Sequence, residues 1–177
     1  MNRGCASADL IRMMLKYYPW ILLLNHMSDP IFRHVEAHEL DALLELYTFL
    51  HEKDDPLPPR DQLIEIWASI MENRANNYFA IELDGMLVSS CVLTIIPNLT
   101  RGGRPYGLIE NVVTRAGYRK RGLGTMMLQE TLACAWEQGC YKVMLLTGHK
   151  DAETLRFYEG AGFKQGIKMG LIAKPEE

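Results

Sequence analysis

Three groupings of residues in this chain carry types and spacings suited to chemistry. The first is a basic turn, Arg119-Lys120-Arg121-Gly122-Leu123-Gly124-Thr125, lying between an apolar stretch that ends at Thr114 and an amphipathic one that starts at Leu123. Glycines let a backbone close up on a ligand, and the first N–H groups of a helix have no partner within it. Such a turn therefore offers amide donors and positive charge to an anion such as phosphate. The second grouping is Glu110-Asn111, two polar residues inside the apolar run from Leu108 to Val113. Neighbouring strand residues point to opposite faces, so in a sheet covered on both sides each of these side chains enters either the interior or a cleft. A carboxylate in that position needs a partner or water. Glu110 is thus a candidate proton acceptor in a cleft, or else a hydrogen-bonded glutamate that fixes a loop. The third is Leu155-Arg-Phe-Tyr-Glu-Gly-Ala-Gly-Phe163. Its Tyr158 has a phenol that, at an ordinary pKa of about 10, keeps its proton at neutral pH.

The elements that must position these groups are legible from periodicity. Residues 31–35 read as a strand. Residues 37–52 read as a helix, with Leu40, Leu43, Leu44, Tyr47 and Leu50 at helical spacing. The prolines of 54–59 impose a loop, and a second helix spans 61–73. Residues 78–83 and 86–96 form a hairpin about Asp84-Gly85, a strong two-residue turn signal. A basic loop at 97–105 carries Arg101 and Arg104, and a central strand at 106–114 feeds the basic turn. The helix at 123–138 turns Met127, Leu128, Leu132, Ala135 and Trp136 inward and stops at Gly139. A strand at 142–147, a short helix at 151–161 and a last strand at 163–173 complete an α/β chain: one mixed sheet with helices on both faces.

Bulk properties narrow the function. The 177 residues suit one domain, and a formal charge of -3 lacks the basic excess of a general nucleic-acid binder. Gly122-Leu-Gly124 is not followed by the Lys-Ser/Thr ending of a P-loop, which excludes a nucleotide hydrolase of that class. Cys5, Cys91, Cys134 and Cys140 have no Cys-x-x-Cys spacing, and His34 and His38 straddle a strand-to-helix boundary, so no metal is implied. Reduced thiols point to the cytoplasm. The apolar segment 10–27 is interrupted by Arg12, Lys16 and Pro19 and does not reach the roughly 20 apolar residues of a membrane span. We read 1–29 as an N-terminal helix or arm, with Met27 an alternative start, and 30–177 as the domain.

A cradle of the form Arg-x-x-Gly-x-Gly followed downstream by Phe-Tyr-Glu-x-x-Gly-Phe resembles the GNAT superfamily of acetyl-coenzyme A-dependent N-acyltransferases, over roughly residues 31–173. The resemblance implies a GNAT fold: a mixed, mostly antiparallel sheet in which two central strands splay apart to form the acetyl-CoA cleft. It implies that the amides of Arg119, Lys120, Arg121, Gly122, Leu123, Gly124 and Thr125 hold the pyrophosphate. The backbone of Val112, Val113 and Thr114 pairs with the pantetheine arm, and Tyr158, near the coenzyme sulfur, protonates the leaving thiolate. Glu110 then assists deprotonation of the amine, with Asn111, Arg101 and Arg104 as further acceptor-side candidates. Many relatives have Asn where this chain has Asp151, so that contact is not carried over.

Within the superfamily the chain is similar to the glucosamine-phosphate N-acetyltransferase branch, which has Glu-Asp in place of Glu110-Asn111 and therefore differs on the acceptor side. The expectation is transfer of an acetyl group from acetyl-CoA to a primary amine of a small-molecule acceptor by direct attack, in a homodimer. An N-acetyltransferase acting on protein or peptide, and an acyl-CoA-binding module without turnover, remain alternatives.

Overall fold

The computed structural model describes residues 28–51 and 53–175; the arm expected at 1–29 lies almost wholly outside them. The order is β1 (Ile31–His34), a 3-10 turn (Ala37–Glu39), α1 (Leu40–Tyr47), α2 (Arg60–Glu72), β2 (Asn76–Leu83), β3 (Met86–Ile96), β4 (Tyr106–Thr114), a second 3-10 turn (Ala116–Tyr118), α3 (Leu123–Glu137), β5 (Val143–Leu145) and α4 (Ala152–Gly160). The five strands lie side by side in sequence order. β1 to β4 are antiparallel neighbours, and β5 joins β4 in parallel through the α3 crossover. Asp84 and Gly85 both take positive φ, 53° and 74°, the geometry that matches a two-residue turn to strand twist.

Each face of the sheet buries its own core. On one side Phe79, Ile81, Val88, Cys91, Leu93 and Ile109 pack against Leu123, Met127, Leu128 and Ala135 of α3. On the other, Ala80, Leu87 and Val113 meet Leu40, Leu43 and Leu46 of α1 and Trp67 of α2. The Trp67 indole donates to Ala37 O at 2.7 Å and meets Tyr78 edge-on, which fixes α2 beside the start of α1. Arg33 spans Glu39 and Glu82 at 2.6 and 2.7 Å, tying the entry of α1 to β1 and β2. α3 ends in the left-handed stop expected of Gly139 (φ 76°), with Gly139 N–H bonding Trp136 O and Cys140 N–H bonding Ala135 O.

Three expectations are corrected. The first helix is shorter than 37–52: it opens with the 3-10 turn and unwinds after Tyr47, where Thr48, Phe49 and Leu50 make only i→i−3 bonds. Trp136 points outward and is 50% exposed, because the buried stripe of α3 runs through Met127, Leu128, Thr131 and Ala135. The strand expected at 163–173 does not form. Gly166 (φ 76°) breaks the extended run, and the tail makes no ladder with β5. Ile167, Met169, Leu171 and Ile172 are left exposed beside an apolar groove of about 720 Å³ along β5 and α4.

Leu128 is fully buried between α3 and the sheet. Leu128→Ala is expected to destabilise the domain by about 2–5 kcal/mol, read from urea unfolding midpoints at unchanged m-value.

Candidate active site

The site begins where β4 loses its neighbour. β5 pairs with β4 only at Gly107↔Val143, Leu108↔Met144 and Ile109↔Leu145. β4 continues to Thr114, while Leu146 to His149 turn away into the loop before α4. The gap is a cleft of about 610 Å³, walled by Ile109–Thr114 on one side and by Leu145–His149, Phe157 and Tyr158 on the other. On this side the N–H and C=O groups of β4 beyond Ile109 have lost their ladder, and an extended amide chain lying in the gap would restore it.

A bulge re-aims the polar pair of β4. Ser90 opposes Val113 and Val92 opposes Glu110, so two steps on β3 face three on β4. Asn111 takes the strain at φ 54°, a left-handed conformation that Asn tolerates better than most residues. Ile109 and Val112 therefore both pack on the α3 side, although strict alternation would separate them. Asn111 is brought towards α1, where Tyr47 lies. Burial pushes the Tyr47 phenol up, and its hydroxyl makes no good hydrogen bond even with Asn111 and Ser90 near it. Glu110 lines the cleft and is exposed: of the interior and the cleft that alternation left open, its side chain takes the cleft.

Tyr158 faces the same cleft from α4. Burial raises its phenol above the ordinary value; Thr147 works against the shift and the negative charge of Glu110 adds to it. A carboxylate able to accept a proton and a phenol that holds one thus share one cleft.

The basic turn forms the cleft's third side. Lys120 and Gly122 take φ 61° and 81°, and Gly122 stands as the N-cap of α3 with no side-chain cap. The first helical bond is Met126 N–H to Gly122 O. Among the described residues the N–H groups of Leu123, Gly124 and Thr125 find no acceptor, and they border the cleft. Gly124 sits where a Cβ would come within 3.1 Å of the Phe157 ring and 3.4 Å of Thr114 Oγ1, so the close approach of α3 to β4 and α4 requires glycine.

The arginine side chains are engaged elsewhere. Arg119 donates to Thr114 O and Phe49 O, each at 3.0 Å, and Arg121 lies 5.0 Å over the Tyr118 ring. Lys120 keeps a loose exposed pair with Glu153 at 3.4 Å.

Arg101 and Arg104 stand apart from the cleft lining. Arg104 donates to Gly139 O and Cys140 O just past the end of α3, and Arg101 stacks 6.0 Å over Tyr141. Both sit near the far end of β4, a natural place for cations next to a helix C-terminus. Asp151 has a role of its own: it accepts from Thr154 N–H and Thr154 Oγ1, both at 2.8 Å, and so caps α4. The Thr154 amide holds its carboxyl below the usual range. Phe49, Leu50 and His51 also line the cleft, and periodicity did not single them out as site residues. His/Cys/Asp/Glu groups of metal-binding geometry are absent among the described residues.

A sheet parted between parallel neighbours, with a helix N-terminus facing the gap, leaves room and donors for an extended amide chain that ends in an anion. The chain belongs to the acetyltransferase (GNAT) family, whose profile matches residues 40–163, and is an acyl-CoA-dependent N-acetyltransferase. It is 36% identical over 144 residues to a glucosamine 6-phosphate N-acetyltransferase of Trypanosoma brucei brucei, covering 80% of this chain and 93% of that one. It superposes on a Trypanosoma brucei acetyltransferase structure with a TM-score of 0.69 at 32% identity, covering 82% of this chain and 100% of the other. A likeness in fold alone, TM-score 0.68 at 16% identity over 83% of this chain and 95% of the other, links it to an aminoglycoside N-acetyltransferase solved with CoA.

Gly124→Ala is expected to push Phe157 into the cleft and weaken CoA binding about tenfold, close to 1.4 kcal/mol, in a calorimetric titration.

Proposed function

We propose that this protein transfers the acetyl group of acetyl-CoA to the primary amine of a small acceptor, an amino-sugar phosphate being the first to test. The observation that carries the reading is Glu110 and Tyr158 sharing a cleft beside the unpaired β4 backbone and the free α3 N-terminus. In this reading the amides of the Arg119–Thr125 segment receive the pyrophosphate. The backbone of Val112, Val113 and Thr114 takes the pantetheine amides as a fourth-side strand would. The amine nitrogen attacks the thioester carbonyl, forming the C–N bond as the C–S bond breaks. The amine's proton passes to Glu110 through a water, and the thiolate takes its proton from Tyr158, which recovers one from solvent.

Two observations favour the amino-sugar phosphate. The 36% identity to a glucosamine 6-phosphate enzyme spans nearly that protein's whole length. The Glu-Asn for Glu-Asp difference falls on the left-handed position of the bulge, where Asn and Asp are the side chains that backbone geometry tolerates best after glycine. Arg101 and Arg104, bound up beyond the far end of β4, are left out of the acceptor site. The free Cys91, Cys134 and Cys140 support a reducing compartment such as the cytoplasm. The open edge of β5 and the exposed Ile167, Met169, Leu171 and Ile172 support pairing with a second copy. Light scattering at micromolar concentration should give twice the chain mass, and a monomer there would reject the homodimer.

The test of the reaction is thiol release from acetyl-CoA over a panel of amino-sugar phosphates, free amino sugars and peptides. Tyr158→Phe is expected to lower kcat about 10²-fold while the Kd for acetyl-CoA stays within about twofold. Binding with no release from any acceptor in the wild type would favour an acyl-CoA-binding module. Because the Tyr158 phenol is raised, it stays protonated through neutral pH and beyond its ordinary value of about 10. The wild-type rate should therefore show no fall between pH 7 and about 9.5, and a fall within that window would assign the acid to another group.

A further inference from the structure

The side chain of Arg119 is turned away from the anion its position suggests. Its Nε donates to Thr114 O, the last carbonyl of β4, and its Nη2 to Phe49 O, in the turn that closes α1. Thr114 and Phe49 both border the cleft, yet they are far apart in sequence and belong to different elements. Phe49 O lies where the carbonyls of a helix end lack intrahelical partners, so the guanidinium satisfies an orphan acceptor and places a cation at the negative end of α1. Arg115 reinforces the link, pairing with Glu45 at 2.8 Å and stacking 5.3 Å over the Phe49 ring. A planar fork held by two carbonyls in different elements is not free to follow a phosphate as well.

We infer that Arg119 is a positioning residue: it couples the cradle to the Phe49–His51 wall and so governs acceptor use more than donor affinity. The turn Arg119–Gly122 and the wall Phe49–His51 then move as one body. A donor anion seated on the α3 amides would thereby also set Phe49, Leu50 and His51, which line the same cleft. A lysine at this position reaches one carbonyl and cannot clamp both. The acceptor part of the inference rests on the proposed transfer reaction; the mechanical link does not.

The experiment compares wild type with Arg119→Gln and Arg119→Lys. CoA affinity is measured by calorimetry at two salt concentrations, steady-state constants by thiol release, and amide hydrogen exchange of residues 45–51 without ligand. Expected for both variants are a CoA Kd within about threefold of wild type with the same salt dependence, and an acceptor KM raised about tenfold or more. Exchange at 48–51 should be faster, with lysine the milder of the two. A CoA Kd weakened tenfold with a shallower salt dependence would make Arg119 a phosphate ligand and overturn the inference, as would unchanged exchange or an unchanged acceptor KM. If the wild type turns over no acceptor, the proposed reaction fails by itself; the exchange and Kd readings then still decide whether Arg119 is clamp or ligand. Should Arg119→Gln not fold, Arg119→Lys carries the same readouts.

Discussion

The separation of β4 from β5 after Ile109 is the constraint on which the rest of this molecule depends. Backbone hydrogen-bond groups cannot be left dry without cost, so a strand that loses its neighbour must face solvent or a ligand that replaces it. Here β4 runs on to Thr114 without β5, and the α3 N-terminus, the loop before α4 and the turn after α1 all converge on that stretch. The two cores hold the gap open from opposite faces. α3 and α4 pack on one side of the sheet, α1 and α2 on the other, and the start of α3 closes the end of the parting between Thr114 and Phe157.

A second economy follows from where the cations go. Arg104, Arg115, Arg119 and Arg121 each have a carbonyl, a carboxylate or a ring to hold, and only Lys120 of the basic turn presents a loosely paired charge to the cleft. The donors left free at the cleft are therefore the fixed amide dipoles at the start of α3, which in the proposed reading would need no side-chain ordering to receive an anion. The glycines matter for the same reason. Gly122 supplies the left-handed cap, and Gly124 lets α3 come within touching distance of Phe157 and Thr114.

The exposed carboxylate of Glu110 and the half-buried phenol of Tyr158 share the cleft in different environments, and the roles proposed for them follow that difference. Glu110 keeps solvent access, while burial and the negative charge of Glu110 raise the Tyr158 phenol. The bulge at Asn111 is what makes this geometry available. It breaks the alternation of β4, keeps Val112 on the α3 face and hands Asn111 to α1.

Local chemistry was legible in the chain. Asp84-Gly85 specifies its hairpin, Gly139 its helix stop, and Arg-x-x-Gly-x-Gly before an amphipathic run its uncapped helix start, because each depends on φ and on groups a few residues away. The apolar periods likewise located α1 to α4 and the four long strands. Pairing between distant segments was beyond them. An extra residue in β4 shifts faces only when set against β3, and β5 ends at Leu145 because its neighbour diverges there. The alternating tail at 163–173 stays unladdered because the left-handed turn at Gly166 breaks it. The partners of Arg119 and Asp151 were hidden for the same reason: a side chain's type says what it can bond, and only the folded chain decides which acceptor lies within 3 Å of it.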